Sequence, residues 1–224
     1  MIKQLHLKLH SALGRYSFAA ILSMHAVGIV GMLSPYQNYF KLLTPINLLL
    51  SGFWLWVNHR ELNSRFFRFV TFTFAFGFLV EVVGVNYGVL FGDYSYGQTL
   101  GPKLLNVPII IGLNWILVIY SIATLTDSLK VNVLLKVLIG AVLALFIDWM
   151  IEPVAMKYDF WTWTQGYVPL RNYIGWFATS TILLSSYHLF KVKAENRLAL
   201  PYYFIQLFFF LIIGLAVASD LGNF

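Results

Sequence analysis

The chain is 224 residues long, 59% hydrophobic and 18% aromatic, with only 11% charged residues and a net charge of +6. That balance excludes an ordinary soluble domain and makes the lipid bilayer the expected solvent. The absence of cysteine excludes disulfides, thiol catalysis and thiolate metal sites.

Residues 1–15 read as a basic, amphipathic lead-in with no small-residue cleavage site, so the first apolar run is expected to be retained. Runs of the roughly 17 to 25 apolar residues that a helix needs to cross the hydrocarbon fall at 16–34, 41–57, 66–88, 107–125, 131–151, 173–190 and 199–219. The second holds Lys41 and Pro45, and spans only if Lys41 reaches the interface and Pro45 sits in the first turn. The expectation is an all-α polytopic membrane bundle of about seven transmembrane helices, one domain over 1–224.

Charge placement fixes the orientation. With the amino terminus cytoplasmic, Lys3, Lys8, Arg15, Arg60, Arg65, Arg68, Lys130, Lys136, Lys191, Lys193 and Arg197 lie inside, leaving Lys41, Lys103, Lys157 and Arg171 outside. That asymmetry follows the positive-inside rule. Basic residues spread over several loops are no nucleic-acid footprint, so no nucleic-acid partner is expected. Glu81, Asp93, Asp148, Glu152, Asp159 and Asp220 gather at or near the opposite face, where any chemistry is therefore expected.

Two passages nearly repeat. Glu81 and Asp148 each sit in an apolar run, and thirteen residues later stand Tyr94-Ser95-Tyr96 and Trp161-Thr162-Trp163. Val107-Pro108 and Val168-Pro169 follow, and seven residues beyond each proline comes a tryptophan, Trp115 or Trp176. A duplicated helix-loop-helix, over 66–125 and 131–190, would place the two carboxylates and two aromatic pairs around one pseudo-symmetric cavity.

Asp148 and Glu152, one turn apart, share a helix face, and Pro153 is expected to end or kink that helix. Like charges so close favour one shared proton, making the pair a candidate acid; the alternative is that both reach interfacial water or pair with Lys157 or Arg171. Glu81 must find a partner or a proton, with Asn86 and Tyr87 as local candidates and Asp148 across the cavity. The rings of Tyr94 and Tyr96, and of Trp161 and Trp163, would lie on one side of an extended segment, over a site or in an interfacial aromatic belt. Arg171 could steady a carboxylate, and Asn172 could orient water or cap a helix. His6 and His10 share a helical spacing but read as solvated or interfacial, and His25 as a hydrogen-bonded interior residue. No metal site and no aspartate-rich diphosphate motif is expected.

The segments GDYSYG (92–97), GPKLLNVPIIIGLNW (101–115), IEPVA (151–155), WTW (161–163) and VPLRNYIGW (168–176) together resemble the membrane carotenoid biosynthesis protein family, which includes carotenoid 1,2-hydratases. The chain departs from the family pattern at Glu152, where aspartate is usual, and in the short TQGY stretch before Val168. The resemblance implies an integral membrane enzyme of a prokaryotic inner membrane that acts on a polyene end group without a redox cofactor. Other carotenoid biosynthesis enzymes are candidate partners. The catalytic candidates are Asp148 as acid, with Glu81 and Glu152 stabilising charge and orienting water. Tyr94, Tyr96, Trp161, Trp163, Asn172 and Asp93 are the substrate-binding candidates. Hydration of a terminal isopropylidene group is the leading expectation; a lycopene-type cyclase and a carotenoid-binding or transport protein remain alternatives.

Overall fold

A computed structural model describes residues 2–193 and 195–221; the side chains of Ile2, Lys3, Asp220 and Leu221 lie outside the described set. The lead-in forms α1 (Ile2–Leu13), which passes through a tight turn into α2 (Ser17–Met32). After the short α3 (Gln37–Phe40), α4 (Thr44–Asn58) starts with Pro45 in its first turn, where the missing N–H costs nothing. α5 (Ser64–Tyr87) is capped by Asn63, whose side chain accepts from the backbone N–H of Arg65 and Phe66, and ends on left-handed Gly88.

The connection that follows holds β1 (Tyr94–Tyr96), β2 (Lys103–Leu104) and β3 (Val107–Pro108) and leads to α6 (Ile110–Asp127). α7 (Val133–Lys157), capped by Asn132, is followed by β4 (Trp161–Trp163), α8 (Leu170–Leu189) and α9 (Ala199–Leu221). β2 and β3 form a small hairpin, while β1 pairs antiparallel with β4 across the two long loops.

Six spans, Gln4–Met32, Gln37–Asn58, Ser64–Tyr87, Ile110–Asp127, Val133–Lys157 and Ala199–Ser219, are long and apolar enough to cross a bilayer. α8 corresponds to the seventh expected run; at 20 residues it has the length but is not among those six, because its buried face carries Asn172, Thr179, Ser180 and Ser186. The bundle's outer surface is apolar, with Val30, Leu49, Val142 and Leu215 exposed, as a protein dissolved in lipid requires. α5 packs on α6 and α7 on α8; α5 also meets α8, and α6 meets α7, so the two hairpins close a four-helix core that α9, α2 and α4 buttress.

Of the two expectations for Pro153, an end or a kink, the end is corrected: α7 runs on past the proline to Lys157. Burial of the flanking residues Ile151, Glu152, Val154 and Ala155 holds the turn in place, and Gly214 of α9 leaves space beside the proline ring. Tertiary packing thus outweighs the hydrogen bond that the proline removes.

The histidines are structural. His6 is buried rather than solvated, and donates through Nε2 to the Trp56 carbonyl at 3.0 Å; His10 donates to the Val57 carbonyl at 2.9 Å, so the pair clamps α1 to the end of α4. His59 donates from Nε2 to the Glu61 carbonyl at 2.9 Å, which leaves Nδ1 to accept from the Tyr120 hydroxyl at 2.8 Å. Burial pushes its pKa down to about 4. Because the unfolded imidazole titrates near 6.5, the folded protein is expected to keep its full stability above that pH and to lose about 3 kcal/mol as pH falls toward 4. Thermal unfolding in detergent at pH 7.5, 5.5 and 4.5 checks this; His59→Gln should flatten the dependence.

Candidate active site

The two aromatic triplets face each other. In the β1–β4 pair, Tyr94 lies opposite Trp163, Ser95 opposite Thr162 and Tyr96 opposite Trp161. Strand alternation turns Ser95 and Thr162 to the outside and the four rings inward. Tyr94 meets Trp163 at 5.1 Å between ring centroids and Tyr96 meets Trp161 at 6.1 Å. Beneath them, Trp115 of α6 stacks on Trp176 of α8 at 4.3 Å. Gly77 of α5 permits this, because a Cβ there would come within 2.6 Å of the Trp115 indole.

The carboxyls sit inside this aromatic frame. Glu81 Oε2 accepts from the hydroxyls of Tyr94 at 2.5 Å and Tyr96 at 2.8 Å, and its Oε1 accepts from Trp115 Nε1 at 3.1 Å. Glu152 Oε2 accepts from the indole nitrogens of Trp161 at 3.2 Å and Trp163 at 2.8 Å. The amide nitrogen of Asn172 donates to Asp148 Oδ2 at 2.8 Å and to Glu152 Oε1 at 3.3 Å, bridging the two acids of α7. Asp148 Oδ1 is buried without a partner. Burial, reinforced by the Glu81 carboxyl, drives the Tyr94 and Tyr96 hydroxyls well above the usual phenol range, so both stay protonated donors.

Together these groups border a cavity of about 30 Å³, room for about one water. Glu81, Glu152, Asn172, the four strand rings and Trp176 line it. Asp148 is not on its surface and stands behind Asn172 and Glu152. The structure therefore gathers eight of the nine candidates at one place. Asp93 is the exception: it is exposed, and it ties the two loops together by accepting from Gln165 at 3.3 Å and, through its carbonyl, from Thr164 N at 2.9 Å.

Several expected partners are otherwise engaged. Asn86 donates to the carbonyls of Val82 and Leu105, and Tyr87 is exposed, so neither serves Glu81. Arg171 donates to the Gly88 carbonyl instead of a carboxylate, and no ion pair reaches the three acids among the described residues. Asn172 lies within the first turn of α8, which Pro169 precedes as cap, so its side chain is available for the acids. No group of three or more potential metal ligands occurs among the described residues.

Sequence reasoning missed Asn114. This α6 residue lines the cavity, is half-buried, and makes no hydrogen bond to the protein. The available signal was an amide inside the apolar run IIGLNWILV, one residue before Trp115.

Comparison with known proteins places this geometry in context. A curated relative, bisanhydrobacterioruberin hydratase of Haloarcula japonica, is 27% identical over 111 residues, covering 46% of this chain and 38% of that protein. The match thus spans well under half of the relative's length. No solved structure matches. The sequence profile of the carotenoid biosynthesis proteins matches residues 37–223, a stretch that contains every residue of the cavity. The chain belongs to the carotenoid biosynthesis protein family.

Proposed function

We propose that this membrane protein is a carotenoid hydratase, adding water to the terminal isopropylidene double bond of an acyclic or monocyclic carotenoid in a prokaryotic plasma membrane. The observation that carries the reading is the small cavity, with room for about one water, lined by Glu81, Glu152 and, among its aromatic residues, the four rings of β1 and β4. Hydration of such an alkene needs an acid, a pocket that tolerates a tertiary cation, and one admitted water.

Asn172 donates to both Asp148 and Glu152 and so holds the two carboxyls together without carrying a proton between them. Glu152 lies at the cavity wall and is the member of the pair that presents a proton to the alkene. Transfer to the alkene CH leaves a cation on the neighbouring, fully substituted carbon. Glu81, with three donors, is arranged as the anion that faces this charge. The ring faces add about 2 kcal/mol each once water is excluded. The water oxygen bonds to the cationic carbon, and the proton it sheds returns to the pair, so the site ends as it began. No electrons change hands. Asn114, with an unused amide at the cavity, is placed to hold the water.

Cyclisation would instead bring an internal double bond of the substrate onto the cation. The Asn114 amide, unused at the cavity wall, favours water as the nucleophile. Expression in a host accumulating acyclic carotenoids, with pigments read by liquid chromatography and mass spectrometry, is expected to show a gain of one water per reacted end. An isomer of unchanged mass with a new ring would select cyclisation. Unchanged pigment across several acyclic carotenoids, with protein present in the membrane, would sink both reactions.

A further inference from the structure

A second cavity, about 90 Å³, lies between α2, α4 and α9, outside the four-helix core that builds the carboxylate site. Phe40, Phe160 and Phe209 contribute aromatic walls, while His25, Thr44, Asn47 and Gln206 give it polar groups. All four polar residues lie within membrane-crossing helices, where an amide or imidazole is expensive unless it is used.

The hydrogen bonds show which atoms remain unused. His25 donates from Nδ1 to the Ile21 carbonyl at 2.8 Å, so its Nε2 accepts from the Gln206 amide nitrogen at 2.8 Å. That nitrogen also donates to the Tyr202 hydroxyl at 3.0 Å. Among the described residues, none donates to the Gln206 Oε1. Asn47 accepts from the Ser51 hydroxyl at 3.5 Å, and its amide hydrogens donate to no protein group. The Gln206 acceptor, the Asn47 donor and the Thr44 hydroxyl are thus available on residues lining the same cavity, and the lining holds no charged side chain. A hydroxyl needs one acceptor and one donor, and the flat walls suit an apolar, planar body.

We propose that this cavity binds a neutral isoprenoid end group bearing a hydroxyl. Its position gives the ligand a source: Phe160 lines this cavity while the next residue, Trp161, lines the carboxylate cavity, so the start of β4 separates the two. The tertiary alcohol formed in the first cavity is the group that the second one recognises. This assignment of the ligand rests on the hydration reading.

The test uses the full chain in lipid nanodiscs in a Glu81→Gln background, so that turnover of either ligand is slowed during the measurement. An acyclic carotenoid with one tertiary-alcohol end is compared with its hydrocarbon parent, binding being followed by the change in polyene absorption. The alcohol is expected to bind about tenfold more tightly, as one net hydrogen bond allows. Gln206→Leu should abolish the preference and leave hydrocarbon binding unchanged. Since that change also strands His25 Nε2, Asn47→Leu, which breaks only the 3.5 Å contact to Ser51, provides an independent arm with the same expected result. Equal binding of alcohol and hydrocarbon, or a preference that survives in both variants, overturns the proposal. A wild-type chain that adds no water in cells, alongside an alcohol preference that both variants remove, would refute the hydration reading while leaving the binding site standing.

Discussion

Glu81→Gln is expected to lower hydration by about 10² to 10³-fold, the loss typical of removing preorganised charge stabilisation, with the protein still accumulating in the membrane. The amide keeps the size of the side chain but removes the negative charge that faces the cation. It also turns one acceptor oxygen into a donor, which then confronts either the two tyrosine hydroxyls or the Trp115 indole. The hydroxyls can rotate away, whereas the indole N–H cannot. Hydrated carotenoid per unit of membrane protein is the measurement, with immunoblotting for accumulation. Wild-type turnover in this variant would remove Glu81 from the mechanism. Asp148→Asn should show a loss of similar size for another reason: an amide there can neither ionise nor hold a proton beside Glu152, although its oxygen can still accept from Asn172.

Asn114→Leu is expected to separate protonation from water capture. If Asn114 holds the nucleophile, its loss leaves the acid pair and Glu81 in place, so the cation still forms but collapses back by losing a proton. In heavy water the recovered alkene should then gain deuterium at a rate near that of the wild type, while hydrated product falls about a hundredfold, the effect of a misplaced reactant. A residue that merely packed the helix would lower both together. Equal losses, or an unchanged yield of alcohol, would show that Asn114 does not position the water. Asn114→Gln, which keeps the amide, should recover part of the yield.

The helices were legible because membrane spans are written in long apolar runs, and each expected run lies within a few residues of an observed helix. The paired triplets were legible for a related reason: aromatic, hydroxyl, aromatic has the period of a strand, so Tyr94 with Tyr96 and Trp161 with Trp163 had to share a face. What the sequence hid was partner choice. Asn86 and Tyr87 are near Glu81 along the chain, yet they lie past the turns that face the core, and Trp115, 34 residues away, supplies the bond instead. Pro153 misled because a local rule about helix ends carries no knowledge of the buried residues on either side. Asn114 escaped notice because a single amide in an apolar run has no period and no motif.

The bonding pattern of the three acids has a consequence for biogenesis. Every donor to Glu81 lies between residues 94 and 115, and every donor to Asp148 and Glu152 lies between residues 161 and 172. Among the described residues, no bond to the three acids crosses from one helical hairpin to the other; the bonds that do cross lie in the loops, as Gln98 to Asp159, Gln165 to Asp93, Thr99 to Tyr158 and Arg171 to Gly88, beside the ring contacts and the pairing of β1 with β4. Each hairpin can therefore leave the translocon with its carboxyls already sheltered, and need not wait in the lipid for the other to be synthesised. Docking of the hairpins then adds the loop bonds, and the cavity appears as a product of assembly, bounded once the two strands meet.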